Sequence, residues 1–311
     1  MEQFLEEKIN NLISLKPKLQ YEQYFSEGII KNYTLQVLIK AFNDNKVLTV
    51  PEKKDLDLNA FAIWRGLDWD SKLLNKKIAQ LEYVFYRDHI NAEKIIEKII
   101  QKTAAENYEY LFCRIYKIEQ VLYDTLSQMG FKKIVTNITL NTEPEERNIS
   151  GDNKCNFNVR PFKNKDIDNI KKIASYAFMY DRFHKEPFFN KNKVNMLYSE
   201  WAKNDCISRA DEVIVALDGE RPVGFISLVI DDESKKNLPL GIGHISLIAL
   251  SDNYRGKGLG KILVNRALNW FYNKVDIVEV GTQKENKPAV NLYKSCGFIE
   301  NSENIIMRKL L

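Results

Sequence analysis

Short apolar runs alternate with longer stretches of helical periodicity along this chain, and their order predicts an α/β (α+β) protein. EYLFCRIY (109–116) is an apolar run of strand length, and IEQVLYDTLSQMGF (118–131) repeats its apolar positions as a helix does before closing on Gly130. KKIVTNITLN (132–141) then alternates as a half-buried strand. Later, HISLIAL (244–250) reads as another strand, and Leu259, Ile262, Leu263, Ala267, Trp270 and Phe271 recur at helical spacing. Val194, Leu197, Tyr198 and Trp201 share such a spacing, with Val194 and Leu197 facing the core.

NTEPEERNISGDNK (141–154), with one aliphatic residue, reads as a linker between two patterned regions. LYDTLSQMGFKKIVTNITL before it resembles NLYKSCGFIENSENIIMRKL after it, with Gly130-Phe131 answering Gly297-Phe298. A helix ending on a left-handed glycine, followed by an aromatic that anchors the next strand, produces this pattern in either half and suggests a duplicated domain.

Between strand and helix lies SDNYRGKGLGKIL (251–263). The first amides of a helix point outward and carry the positive end of its dipole, so an anion suits the turn. Gly256, Gly258 and Gly260 bare the backbone, and Arg255 and Lys257 add charge, so a phosphate or diphosphate is expected. The order of residues is not that of a Walker loop, which excludes a nucleotide triphosphatase. The glycines run GxGxG late in the chain, where a dinucleotide fold would need GxGxxG near its start.

Composition narrows the classes further. The 311 residues suggest two domains, and 44% hydrophobic with 28% charged residues is ordinary globular composition. Lys and Arg number 46 against 42 Asp and Glu, too even a balance for a nucleic-acid partner. No secretory signal or membrane-length run is present, so a soluble cytoplasmic protein with no membrane partner is expected. Cys113, Cys155, Cys206 and Cys296 and the three histidines, His89, His184 and His244, show no ligand spacing, so reduced thiols and no metal are expected.

The loop resembles that of the Gcn5-related N-acetyltransferase (GNAT) family, whose signature is Gln or Arg, two residues, Gly, one residue, then Gly or Ala. Arg255, Gly258 and Gly260 meet it. ENKPAVNLYKSCGF (285–298) is similar to the family's second element, through Asn286, Tyr293 and Gly297-Phe298. The resemblance implies the GNAT fold, a central mixed sheet flanked by helices, and acetyl-CoA as co-substrate. It assigns cofactor contacts to Arg255, Gly256, Lys257, Gly258, Leu259, Gly260, Asn286 and Tyr293. It also implies that the strand ending at Leu250 splays from its neighbour, freeing main-chain groups at Ile248, Ala249 and Leu250 for the pantetheine arm, with one amide as oxyanion donor.

Tyr293 matches the family's general acid. Ordinary values of about 10 for Tyr and 8.5 for a thiol make its proton transfer uphill by roughly 2 kcal/mol. The base stays open among His244, Glu279, Asp232 and a water chain.

AFMYDRF (177–183) with LYSEWAKN (197–204) resembles the acceptor region of bacterial dTDP-4-amino-4,6-dideoxygalactose (dTDP-fucosamine) N-acetyltransferases. LDWDSKLL (67–74), EYLFCRIY and LSQMGFKKIVTNITL resemble that family's amino-terminal truncated GNAT-like domain. The implied substrate is a nucleotide-linked amino sugar bordered by Arg182, Phe183, Tyr198 and Trp201. The alternatives are another small amine, a protein amino terminus, or a non-catalytic acyl-CoA-binding module. The implied domains are a helical extension over 1–60, outside the resemblance and suited to docking or regulation, a degenerate GNAT-like domain over 61–150, and a catalytic domain over 151–311. The family also brings in a homodimer as a partner, though no surface feature of the sequence demands one.

Overall fold

A computed structural model describes residues 59–116, 119–147 and 157–311, with a strand at 47–50 and a few positions between 26 and 36. Most of the expected 1–60 extension, and Cys155, lie outside the described residues. The chain divides into two compact units. Unit 1 is 1–136 with 303–311, and unit 2 is 137–302.

In unit 1, β2 (Ala60–Gly66) pairs antiparallel with β1 (Val47–Val50) and β3 (Ile78–Tyr86), and β3 pairs parallel with β4 (Tyr110–Tyr116). α1 (Asp68–Leu74) links β2 to β3, and α2 (His89–Ala105) makes the crossover from β3 to β4. Asp88 caps α2, its carboxylate accepting from the Asn91 amide at 2.9 Å, and Ala92, Ile95, Ile96 and Ile99 form its buried stripe. α3 (Gln120–Gln128) follows β4 and leads into β5 (Lys132–Thr142).

Unit 2 has the same order in its sheet. β6 (Asn158–Pro161), β7 (Glu212–Asp218), β8 (Arg221–Ile230) and β9 (Ile242–Leu250) pair antiparallel in turn, and β9 pairs parallel with β10 (Ile277–Gln283). α4 (Ile167–Ala177) and α5 (Lys191–Asn204) precede β7, and the short α6 (Asp232–Asn237) precedes β9. α7 (Leu259–Phe271) crosses from β9 to β10, and α8 (Lys287–Ser295) leads into β11 (Ile299–Leu310). Leu259, Leu263, Ala267 and Phe271 of α7 are fully buried in a core with Val278, Val280, Val290 and Phe298. Gly243 has no room for a side chain, since a Cβ there would lie 2.5 Å from the Phe271 ring.

Both helix-to-strand corners close alike. Gly130 stands at φ 85° and Gly297 at φ 92°. Phe131 N donates to Leu126 O at 2.9 Å, as Phe298 N does to Tyr293 O at 3.1 Å. The final strands are then exchanged. β5, which follows the corner of the first half, pairs antiparallel with β10 of unit 2, and β11, which follows the corner of the second, pairs antiparallel with β4 of unit 1.

Met307 on β11 is buried in the core of unit 1 with Ile95, Leu111, Leu126 and Phe131. Met307→Ala should therefore cost about 2–5 kcal/mol in urea unfolding. The lost hydrogen-exchange protection should fall on amides of β2 to β4; loss confined to β11 would contradict the exchange.

Candidate active site

The glycine loop spans the β9–α7 turn as the sequence suggests. Gly256 and Gly258 stand at φ 72° and 80°, where a Cβ would meet nothing within 4 Å. Gly258 is the left-handed N-cap of α7, and no side chain caps the helix there. The residues fit an anionic group: open space, exposed backbone, a helix start, and the half-exposed Arg255 guanidinium, held 3.1 Å from Asp252. Lys257 Nζ rests 5.3 Å from the Tyr254 ring centre, and the Tyr254 hydroxyl donates to Asp218 at 2.5 Å. Gly260 has a different use, because a Cβ there would crowd Leu292 at 3.1 Å, and its absence lets α7 approach α8. The Leu259 side chain is likewise core, which leaves its amide for the loop.

Beside the loop the sheet opens. The β9–β10 ladder runs from Ile242/Ile277 to Ile245/Val280, whereas β9 continues with β8 to Leu250/Gly224. The register shift opposite Ser227/Leu228 marks Ser246 as the extra residue of a β-bulge. Ile248, Ala249 and Leu250 therefore keep β8 on one edge while the other edge has left the parallel ladder. Asn286 stands at the head of α8, its side chain accepting from Ala289 N at 3.4 Å and donating to Thr282 Oγ1 at 3.3 Å.

A polar row crosses the sheet below the opening. His244 pairs in register with Glu279, and Glu279 with Asn141 of β5. His244 Nδ1 lies 3.8 Å from Glu279 Oε2, and Nε2 lies 3.8 Å from Asp231 Oδ2. Glu279 and Asn141 are buried, and among the described residues the Asn141 side-chain amide has no hydrogen-bond partner. Burying such a group costs about 1–3 kcal/mol, so stability alone does not explain a polar row in this place.

Tyr293 on α8 is 3% exposed, tilted against Phe298 with centroids 5.7 Å apart. Burial, helped by nearby Cys296, pushes its phenol well above 10. The hydroxyl stays protonated across ordinary pH, and its proton is harder to give up than an ordinary tyrosine's. Among the described residues Cys113, Cys206 and Cys296 are in no disulfide, the first and last buried and Cys206 half-buried, and no group of His, Cys, Asp or Glu is arranged to hold a metal. Nor is any described helix long and apolar enough to cross a membrane.

The acceptor residues expected from sequence fall on one turn, with Arg182 and Phe183, and on α5, with Tyr198 and Trp201. Tyr198 is buried, stacked with Phe178 at 4.6 Å, His184 at 5.7 Å and Trp201 at 5.9 Å. Phe183 is 3% exposed and packs edge-on against Phe189, so its ring supports the Arg182 guanidinium 4.8 Å away more than it offers a face. Trp201 and Arg182 remain half-exposed. Sequence reasoning missed the anchor of this region: Asp181 accepts from the amides of Phe183 and His184 at 2.8 and 3.2 Å and binds the His184 ring at Nδ1. His184 Nε2 meets Asn195 Oδ1 at 2.9 Å. The D-x-x-H spacing was the available signal.

Residues 176–298 match the family model described as Acetyltransferase (GNAT) family. Over 86% of its own length and 93% of the other protein's, the chain is 22% identical to the spore coat polysaccharide biosynthesis protein SpsD of Bacillus subtilis strain 168. It is 24% identical to the spermidine N(1)-acetyltransferase of Vibrio cholerae, over 43% of this chain and 70% of that one. A GCN5-related N-acetyltransferase from Sphaerobacter thermophilus superposes with a TM-score of 0.58 at 12% identity, covering 89% of this chain and 85% of that one. The fold is the GNAT fold, a mixed sheet flanked by helices. Fold and matched segment together support the class: an acetyl-CoA-dependent acyltransferase with the GNAT fold.

His184 tests the acceptor wall. Burial acts to lower its pKa, but the hydrogen bond and charge of Asp181 outweigh it and raise the value above 6.5. A raised histidine contributes stability below its unfolded pKa and loses it as pH rises through the folded one. The stability gap between the wild type and His184→Gln should thus be full below the ordinary histidine value of 6.5 and narrow as pH rises through the raised folded one. A gap that held constant across chemical denaturation curves would remove the ion pair.

Proposed function

We propose that this enzyme acetylates the amine of a nucleotide-linked amino sugar of the dTDP-4-amino-4,6-dideoxyhexose type. One observation carries the substrate: the likeness to SpsD, a polysaccharide biosynthesis protein, runs through nearly the whole of both chains, whereas that to the spermidine enzyme covers less than half of this one. The half-exposed Arg182 and Trp201 beside the stacked Tyr198 suit an anionic, partly flat acceptor.

In this reading Arg255, Gly256, Lys257, Gly258 and the first amides of α7, at Leu259 and Gly260, hold the diphosphate of acetyl-CoA. Main-chain groups of Ile248, Ala249 and Leu250 hold the pantetheine arm, and one amide stabilises the developing oxyanion. Asn286 fixes the start of α8. His244, oriented by Glu279, takes the proton from the attacking nitrogen as the C–N bond forms. Tyr293 gives a proton to sulfur as the C–S bond breaks, in step with cleavage because its own ionisation is costly.

The first half is the degenerate GNAT-like domain (61–150) and the second the catalytic one (151–311). The bounds mark descent, and the exchange of β5 and β11 places the compact units' limits within those strands. The reading places the enzyme in the cytoplasm, without nucleic-acid or membrane partners, and allows a homodimer.

Tyr293→Phe should lower kcat by about 10²-fold or more in a thiol-release assay. Unchanged turnover would remove Tyr293 as the acid. Calorimetry with dTDP should show binding, and no affinity even at millimolar ligand would count against the sugar-nucleotide reading.

A further inference from the structure

α5 does not stop cleanly. Its last turn widens into a π turn, Asp205–Arg209, a rare geometry that recurs at functional sites. The turn aims Asp205 at the sheet. Its carboxylate is 1% exposed and accepts from Ser227 Oγ at 2.6 Å, Ser246 Oγ at 3.0 Å and Arg209 Nη1 at 2.8 Å. Ser227 also accepts from the Leu247 amide at 3.1 Å, and Arg209 Nη1 donates again to Ser246 Oγ at 3.0 Å.

Arg209 is thus moored to the bulge residue at which β9 parts from β10. Its side chain remains 47% exposed, and its guanidinium lies 5.0 Å from the Trp201 ring centre. Both hydrogen bonds come from Nη1, so Nε and Nη2 are the rest of a fork anchored by a carboxylate on one side and lying near an indole. Neutralising Asp205 would not require that exposure. A preorganised guanidinium, half in solvent, is built to receive an oxyanion.

Its place relative to the chemistry follows from the strands. The extra residue of the bulge lies on β9, so along β8 Ser227 and Val229 still share one face, and Val229 is the register partner of His244. The Asp205–Arg209 group therefore stands on the face that carries His244. Ser246 is two residues along β9 from His244, at most about 7 Å at some 3.3 Å per residue and less where the bulge bends the strand. One hexose ring fits within that span.

We propose that Arg209 is a specificity-determining residue that binds the phosphate of the acceptor, set across one sugar ring from the amine that is acetylated. The inference rests on the amino-sugar reading above and adds where the anion sits.

The test uses the full chain with three acceptors: a 4-amino-4,6-dideoxyhexose 1-phosphate, the neutral methyl glycoside of the same sugar, and spermidine. Arg209→Gln should lower the ratio of kcat/KM for the phosphate to that for the methyl glycoside by about 10-fold or more, chiefly through KM. Arg209→Lys should fall between, since an ammonium keeps the charge and loses the fork. Should Arg209→Gln fold poorly with Asp205 left uncompensated, the double variant Arg209→Gln/Asp205→Asn removes both charges and should show the same loss of ratio. An equal loss on both sugars would mean that Arg209 is structural, and the inference fails. If the wild type acetylates the phosphate and the ratio does not move, Arg209 is dismissed while the amino-sugar reading stands. A wild type that ignores both sugars and acetylates spermidine overturns that reading and the inference with it.

Discussion

The parting of β9 from β10 after Ile245 is the constraint on which the site depends. A strand that leaves its ladder must have another use for its amides and carbonyls, because unpaired backbone groups inside a protein are costly. β9 stays fixed along its other edge by β8 as far as Leu250, so the opening is rigid on one side. One extra residue, Ser246, absorbs the change of course, and the parts of the site arrange themselves around it. His244 and Glu279 lie where the strands still meet, the glycine loop where they have separated, and the Asp205 network at the bulge itself.

Exchange of the last strands gives this opening its setting. β10 has β9 on one side only as far as Val280, and on the other it pairs along most of its length with β5, from Gln283/Asn137 to Val278/Thr142. The strand that firms up β10 comes from the first half of the sequence, and it brings Asn141 to the end of the polar row. A first half with no glycine loop of its own therefore still contributes a strand to unit 2. In return, β11 supplies Met307 to the other core. Neither unit's strands are complete without sequence from the other half.

The parts of the site that could be read in advance are those written in consecutive residues. Arg255 to Gly260 announce themselves because an exposed turn with φ above zero demands glycine, and no packing can disguise that demand. Even so, spacing could not separate Gly256 and Gly258, which face open space, from Gly260, which makes room for Leu292. The aromatic segment before β7 was legible as a wall, but not which rings it would spend on itself. Phe183 and Tyr198 are buried, and what remains half-exposed is Arg182 and Trp201. Asp205 and Arg209 carried no signal at all, since their partners Ser227 and Ser246 lie on two strands and look like any other serine in a β-run.

By itself, the sequence determined the order of strands and helices, the left-handed glycines at 130 and 297, the open glycine turn at 256–258 and the matching corners of the two halves. Each is local, set by periodicity or by backbone conformations only certain residues adopt. Tertiary structure decided which strands would be exchanged, where β9 would leave β10, that Glu279 would stand beside His244, and that burial would raise the Tyr293 phenol. Those outcomes turn on register and on burial, which depend on groups far apart along the chain. No window of neighbouring residues contains them.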